Sequence, residues 1–445
     1  MRTMSPSGPF DGPSDRFDGE PDPAALFGDM ANALSNFAAM AGRGGGPNWE
    51  QARAMAASIA TGGTPEPNID PLDRMNFEAL VRVAELQVTE LTEFSTSGIR
   101  TETATRSEWA TRTVDEYRPM LERVSESLTR IVASQLDELT NEDFGDLSEA
   151  LPGLSLPPGL DLNRLFGDLA GSLGPTLAVS LAASVVGQLA SRAFGTYDLP
   201  LPRPAGASIS VILAAVDEFG RDWSLPTDDL RLWWCLHEMT HHVVLELPHV
   251  GERLAALLAA HAGAFEADPA GIEERFGTFD PDDPDVMQRW SELMSRPDQM
   301  LTTLRSAEQT RLIAEIDTIV CCIVGYVDWV LDTIGRRLLT DSTRISEALR
   351  RRRVEADAAT KFVERIFGLE LTQPKIDVGS SFVQAVAARH GADGVGRIWS
   401  DAAHLPTRAE LDTPGIWMAR VGLAEDEALP ELEEPVEIPD FPEFD

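Results

Sequence analysis

Two histidines and a glutamate stand at a spacing that can support metal-assisted hydrolysis. His237, Glu238 and His241 form the pattern H-E-x-x-H. On an α-helix, residues four apart lie on one face at about 6 Å from each other, so the two histidines can bind one Zn²⁺. Glu238 lies about 100° around the helix from His237, where its carboxylate can take a proton from bound water rather than bind the metal. Zn²⁺ lowers the pKa of such a water to about 7 and polarises a substrate carbonyl.

The motif lies in an apolar stretch that is typical of a buried helix. The stretch covers residues 230–247, with Pro226 before it and Pro248 after it. Proline is common at the first turn of a helix and just beyond its end, so the sequence predicts a helix over 228–247. The competing interpretation is that the two histidines are only polar groups of a core or surface helix.

A catalytic zinc site normally has three protein ligands, so one ligand must come from elsewhere in the chain. The metzincin arrangement would need Gly and His where Val244 and Leu247 stand, which excludes that class. A thermolysin-like arrangement takes its third ligand from a later helix, and the apolar segment 311–339 contains four acidic residues: Glu315, Asp317, Asp328 and Asp332. Asp328 and Asp332 share a helix face, so Asp328 can bind the metal while Asp332 supports the site. The alternative is that these acids pair with arginines at the two ends of the same segment.

Composition excludes several classes of partner. The net charge is -36, from 37 basic and 73 acidic residues. This argues against nucleic acid and anionic membrane as partners, since both require clustered Lys and Arg. The three cysteines give no disulfide framework, and the adjacent Cys321 and Cys322 are expected to be a buried pair rather than metal ligands. The N-terminus lacks the apolar core of a secretory signal, so we expect a cytoplasmic protein.

One uncharged segment, 169–191, has to be considered as a membrane span. It contains several glycines and serines and Pro175, so its mean hydropathy is low for a span. We therefore predict a buried helix there and no membrane span.

The chain divides into three parts by composition and periodicity. Residues 1–69 are expected to be largely disordered with short helices, 70–423 to form the compact domain, and 424–445 to be an acidic disordered tail. Apolar residues at helical spacing dominate the middle part, and 208–216 is the best candidate strand. The predicted fold class is therefore mainly α, with a small β-sheet beside the H-E-x-x-H helix.

The acidic tail and an arginine cluster each have two interpretations. The tail can be a solubilising end, or a lid that folds over a cleft lined by the arginines at 350–353. Deletion of 424–445 should raise activity only in the second case. The cluster itself is expected to be a solvated helix face more often than an anion site.

Over about 70–422 the chain resembles the actinobacterial zincin-like metallopeptidases, some branches of which are linked by gene context to deazaflavin-coenzyme biosynthesis. Beside the zinc-binding motif, the matching segments follow the family's order: Arg106-Ser107-Glu108-Trp109, Gly195-Thr196-Tyr197-Asp198-Leu199-Pro200, Leu232 to His242, Gly325-Tyr326-Val327-Asp328, Arg350 to Arg353, Phe362 to Leu371, Ile398-Trp399, Leu405-Pro406-Thr407 and Leu411-Asp412. The resemblance implies a mostly helical zincin with a peptidase-type site, in which His237 and His241 are zinc ligands and Glu238 is the base.

One position departs from the family's pattern. Members often read Glu-Gly-(Trp/Tyr)-x-Asp in the later helix, which suits a Glu ligand supported by an Asp. Here Val324 stands at the Glu position, while Asp328 keeps the Asp position. Valine cannot bind zinc, so either Asp328 or another acid replaces the ligand, or the site is weakened or inactive.

Three functions remain open from the sequence. The leading prediction is a zinc-dependent metallohydrolase, most consistent with a peptidase that acts on a peptide or protein substrate. The second is a catalytically silent zincin scaffold that binds a protein partner. Val324, the N-terminal segment expected to be disordered and the acidic tail favour it. The third is a zinc enzyme that acts on a small, non-peptide molecule.

Overall fold

The computed structural model describes residues 47–142, 162–266, 305–354 and 358–423. The predictions for the first 46 residues and for the acidic tail lie outside the described residues. The chain forms two units, one of residues 1–46 and 133–173 and one of 47–132 and 174–445. In the first unit the structure describes helical backbone at 133–142 and 162–173. Every side chain discussed below belongs to the second.

The described residues are mainly helical, as predicted, with a small sheet. The α-helices in chain order are α1 (Trp49–Thr61), α2 (Pro71–Thr92), α3 (Arg106–Glu142), α4 (Leu162–Arg192), α5 (Leu213–Asp222), α6 (Thr227–Leu245), α7 (Pro248–Gly263), α8 (Ala307–Leu338), α9 (Ser342–Val354), α10 (Ala358–Ile366), α11 (Gln373–Gly396), α12 (Arg408–Asp412) and α13 (Pro414–Arg420). Two short 3₁₀ helices, Arg397–Trp399 and Ala402–His404, follow α11.

The sheet has two short parallel strands beside the motif helix. Strand β1 (Thr101–Thr103) pairs with β2 (Ile209–Val211), with Glu102 opposite Ser210. Val211 also forms an antiparallel bridge with Gly195, in the segment that follows α4. The sheet is therefore small and lies against α6, as the sequence predicted.

The predicted strand over 208–216 is correct only in its first half. The strand ends at Val211, and helix α5 begins at Leu213. The amide of Ile212 donates to the Phe194 carbonyl at 2.8 Å, and the Ile212 carbonyl accepts the Val216 amide at 3.2 Å, which starts the helix. A short apolar run suits a buried helix as well as a strand, so periodicity alone does not separate them.

The core includes residues that precede Asp70. Helix α1 is capped by the Asn48 side chain, which accepts the Gln51 amide at 3.1 Å. Trp49 and three alanines on one face of α1 are buried in the main core. Helix α1 therefore belongs to the packed core. The sequence predicts a compact domain that begins only at residue 70, after this helix.

Helix α8 passes through the centre of the second unit and is buried over most of its length. It crosses α11 at a point where two glycines meet, since a Cβ on Gly325 would overlap the backbone of Gly379. A Cβ on Gly379 would in turn overlap the backbone of Cys321. The missing side chains allow the two helix backbones to touch, which fixes the place of α8 relative to its neighbours.

A buried arginine ties the motif helix to two other helices. Arg231 on α6 pairs with Asp217 on α5 at 2.5 Å and with Asp73 on α2 at 2.9 Å. Both hydrogen bonds raise the pKa of Arg231, with the bond to Asp217 as the larger cause. The guanidinium stays charged and fixes the first turns of α6 in position.

Among the described helices, none combines the length and the apolar character needed to cross a bilayer. The uncharged segment predicted as a buried helix belongs to α4, and its side chains from Ala182 to Ala190 include many that are fully buried.

Candidate metal centre

Helix α6 carries the motif and is enclosed on all sides. It follows Pro226 and has Asp228 and Asp229 in its first turn, where carboxylates favour the positive end of the helix dipole. Every residue from Trp233 to Leu245 is buried. A helix that is buried all round differs from a surface helix with one apolar face, and its polar residues therefore need partners inside the protein.

His237 is held by aromatic packing and has a ring nitrogen that lacks a hydrogen-bond partner. Its ring stacks on Trp234 at a centroid distance of 4.3 Å and on Trp233 at 5.5 Å. Among the described residues, no group hydrogen-bonds its buried Nδ1, which lies 3.4 Å from Glu238 Oε1. Burial lowers the pKa of His237 far below its usual value, and the neighbouring His241 ring and the charges of Arg353 and Arg352 add to this effect. The imidazole is therefore uncharged at neutral pH.

His241 lies beside His237 on the same helix face. The two ring centroids are 4.3 Å apart. The Nδ1 of His241 donates to the His237 carbonyl at 3.0 Å, which leaves Nε2 as the nitrogen with the lone pair. Burial, with Arg353 as a smaller cause, lowers the pKa of His241 to about 4, against the opposing effects of the bond to the His237 carbonyl and the charge of Asp328. Asp328 and Arg353 therefore lie close enough to act electrostatically on this ring.

Glu238 is almost completely buried and is held through its carboxylate. Both carboxylate oxygens accept the backbone amide of Tyr197, at 3.2 and 3.0 Å. A Cβ on Gly195 would lie 2.6 Å from Glu238 Cδ and 2.7 Å from Trp234 Nε1, so only glycine fits there. Burial raises the pKa of Glu238 well above its usual value, Asp198 adds to this, and the Tyr197 amide opposes it.

The segment that holds Glu238 is anchored from two sides. The Thr196 amide donates to the Ser210 carbonyl at 3.0 Å, which joins the segment to β2. Arg203 donates to the Thr196 carbonyl and pairs with Glu116 on α3 at 2.6 Å. Its guanidinium also lies 4.3 Å above the Tyr117 ring. These contacts fix the backbone that presents the Tyr197 amide to Glu238.

Tyr197 also contacts the histidine that follows the motif. Its hydroxyl hydrogen-bonds His242 Nδ1 at 2.8 Å, and its ring is parallel to that of His241 at 5.9 Å. Burial raises the pKa of Tyr197 well above its usual value, so the hydroxyl stays protonated. Because the phenol keeps its proton, it can donate to the ring nitrogen of His242.

Asp328 is paired with an arginine rather than placed free beside the histidines. Its two oxygens accept both terminal nitrogens of Arg353, on α9, at 3.2 and 3.3 Å. The side chains are 10 and 20% exposed. Asp328 therefore pairs with an arginine, as the alternative interpretation expected. The arginine, however, belongs to α9 and not to an end of the same segment.

The other acidic residues of α8 also pair with basic side chains. Glu315 pairs with Arg311 at the surface, Asp317 with Lys375, and Asp332 with Arg350 at 3.1 Å. Val324 is buried in the apolar core of the same helix. Cys321 and Cys322 are buried free thiols, as expected.

The sequence predicts the motif residues but not the groups that surround them. Gly195 and Tyr197 belong to a segment that resembles the family, and the resemblance gives them no role. The signal was present in that segment, because a glycine next to an aromatic residue before a strand is a place where backbone and site can approach closely. The pairing of Arg353 with Asp328 carried no local signal.

Residues 48–418 match the family model described as zincin-like metallopeptidase. The chain belongs to this family. At the level of the family, this supports a zinc metallohydrolase of the peptidase type. The narrower predictions of an actinobacterial branch and of a link to deazaflavin-coenzyme biosynthesis stay predictions.

A crystal structure from Chloroflexus aurantiacus, described as a candidate hydrolase with a novel fold, is similar in architecture. It has 19% sequence identity and a TM-score of 0.50, and the match covers 85% of this chain and 100% of that one. At this identity the likeness concerns the fold alone. No curated protein matches the chain.

The donor chemistry of the two histidines fits the zinc that the family implies. Both imidazoles are uncharged, and each offers a ring nitrogen for a metal: the unpartnered Nδ1 of His237, and Nε2 of His241. In the described part of the chain, no group of three or more His, Cys, Asp or Glu side chains is arranged to hold a metal ion. Two candidate donors therefore lie together, and a third is not assembled beside them among the described residues.

Proposed function

We propose that this chain is a zinc-dependent peptidase in which His237 and His241 hold the metal and Glu238 is the general base. The observation that carries the proposal is the buried trio itself. Two uncharged imidazoles lie 4.3 Å apart, and a carboxylate held by the Tyr197 amide lies beside one of them. Burial of two imidazoles and a carboxyl group costs free energy. A hydrolytic centre would explain why the chain keeps them buried together.

Asp328 is the third ligand in this proposal. It is a buried carboxylate whose charge already acts on His241. To reach a metal at the two histidines, it would have to leave its pair with Arg353. Val324, at the family's usual ligand position, cannot take that role.

The protein groups divide the work of hydrolysis between them. When bound, zinc would supply Lewis-acid chemistry that polarises the peptide carbonyl and acidifies water. Glu238 accepts the proton of the attacking water at its carboxylate and passes it to the nitrogen of the leaving amine. The Tyr197 amide holds that carboxylate in place during both transfers. The indole rings of Trp233 and Trp234 keep the His237 ring in one orientation.

The test compares zinc content and peptide cleavage in the wild type and in variants of the three residues. Glu238→Gln should keep zinc and lose cleavage of a mixed-sequence peptide pool by about 10²- to 10⁴-fold, since only the base is removed. His237→Ala and His241→Ala should lose the zinc. His390→Ala, on α11, is the matched control and should retain both. Full cleavage by Glu238→Gln would overturn the proposed mechanism.

A catalytically silent scaffold is the second candidate, and one observation favours it. Asp328 is already neutralised by Arg353, and the described residues form no three-ligand group. A silent scaffold would hold no zinc after purification and reconstitution, and Glu238→Gln would change neither its metal content nor any cleavage.

A further inference from the structure

The pair between Arg353 and Asp328 is built from two desolvated partners. The contact is bidentate, joins α9 to α8, and is mostly shielded from water. A guanidinium and a carboxylate in this arrangement form strong, charge-assisted hydrogen bonds. While this pair persists, both oxygens of the carboxylate are bound to the guanidinium rather than held in a metal ligand role.

The two helices that carry this pair, α8 and α9, both pack against α6, the helix of the two histidines. The positive charge of Arg353 accordingly lowers the pKa of both His237 and His241. A metal bound by these rings would therefore face a nearby cation. A bound divalent cation and an unmoved Arg353 repel each other, which disfavours their presence together.

A cavity beside Arg353 could accept its side chain in a second position. Arg353 lines a small cavity of about 50 Å³ whose wall also carries Asp198 and Glu364. Asp198 already pairs with Arg352 at 3.0 Å. The lining also contains Arg192, Arg352 and apolar side chains. An Arg353 side chain that left Asp328 would therefore find two carboxyl groups there, which it would share with the other two arginines.

We propose that Arg353 is an internal cation that competes with the metal for Asp328, so that loading of the site exchanges the guanidinium for zinc. This inference rests on the proposed function, since it takes the two histidines as ligands. It adds a control on that function: metal affinity is set by the strength of a contact between α8 and α9. Arg353 is a positioning residue in this proposal because it acts through Asp328.

A neighbouring ion pair on the same two helices supplies a matched control. Arg350 on α9 pairs with Asp332 on α8 at 3.1 Å, and their side chains are 41 and 34% exposed. Removal of Arg350 therefore takes away the same charge and the same kind of contact. It leaves Asp328 paired.

The experiment is a titration of metal-free, full-length protein with Zn²⁺ against a chromophoric chelator. Arg353→Met should bind Zn²⁺ about tenfold more tightly than the wild type, since the competitor is gone, whereas Arg350→Met should bind as the wild type does. Asp328→Asn should bind more weakly, and the double variant Arg353→Met/Asp328→Asn should lose the gain. Circular dichroism checks that each variant is folded. Arg353→Lys, which keeps the charge without the bidentate contact, is the substitute should Arg353→Met not fold, and it should show a smaller gain.

Co²⁺ in place of Zn²⁺ gives a readout that does not depend on affinity alone. The visible absorption of bound Co²⁺ should differ between the wild type and Asp328→Asn, because a carboxylate ligand is lost. Equal spectra would remove Asp328 from the metal and overturn the exchange.

The outcomes separate this inference from the proposed function. Equal or weaker Zn²⁺ binding by Arg353→Met than by a zinc-binding wild type overturns the competition and leaves the peptidase proposal standing. Binding by Arg353→Met alone supports the competition and contradicts a zinc enzyme in the native chain. Binding by no variant overturns both.

Discussion

At the scale of single residues, the position of Glu238 depends on groups far away in the sequence. The Tyr197 amide that holds its carboxylate is 41 residues distant, and Gly195 provides the space for it. A glycine at 195 is needed for a close approach of backbone to side chain, not for an unusual backbone conformation. The position of the Glu238 carboxylate therefore depends on the segment after α4 as well as on the motif helix.

Gly195→Ala should lower peptide cleavage by about 100-fold, because the new methyl group would displace the carboxylate of Glu238. Zinc content should fall less than cleavage, since the new methyl group touches neither histidine directly and reaches His237 only through Trp234. The measurements are cleavage rate and elemental analysis. Gly415→Ala, at a glycine with open space around it, is the control. Unchanged cleavage by Gly195→Ala would show that the carboxylate tolerates a shift.

At the scale of elements, three contacts place the helices that build the centre. Arg231 joins α6 to α5 and α2, Arg203 joins the segment after α4 to α3, and two glycines let α8 touch α11. Each contact links elements that are distant in sequence. The motif helix forms because of residues that are close in sequence. Its position relative to α8 depends on these long-range contacts.

Gly379→Ala should destabilise the protein by about 1 to 3 kcal/mol, because the added methyl group would force α8 and α11 apart. Equilibrium unfolding in urea measures the change. Gly396→Ala, at the end of the same helix, has nothing within contact distance of the new Cβ and should be near neutral. A neutral Gly379→Ala would mean that the crossing adjusts without cost.

At the scale of the whole molecule, the buried carboxyl group of Glu364 should make stability depend on pH. Burial raises its pKa from 4.5 to about 7, against the opposing bond from the Leu371 amide and the charges of Lys361, Arg192 and Arg365. A raised pKa in the folded state means that folding favours the protonated form. Its contribution to stability is complete below about pH 4.5 and is lost as the pH rises through 7.

Glu364→Gln should therefore be more stable than the wild type at pH 8, by at most about 3 kcal/mol, with the difference shrinking towards pH 5. Urea unfolding at several pH values measures this. If the difference in the free energy of unfolding between the variant and the wild type stayed constant from pH 5 to pH 8, the titration of Glu364 would not be its cause.

Local sequence patterns were sufficient to predict the mainly α fold class and to propose a chemistry for the motif. Apolar residues at helical spacing predicted the helices, and the H-E-x-x-H spacing placed two histidines on one face of a helix, because both properties depend on neighbours along the chain. The double meaning of the run at 208–216 shows the limit of such local signals. The contacts of Glu238 with the Tyr197 amide and of Asp328 with Arg353 are visible only in the folded chain, because pairing across elements depends on how whole helices pack. The identity of a third ligand likewise depends on how the helices pack, and the local spacing of residues does not predict it.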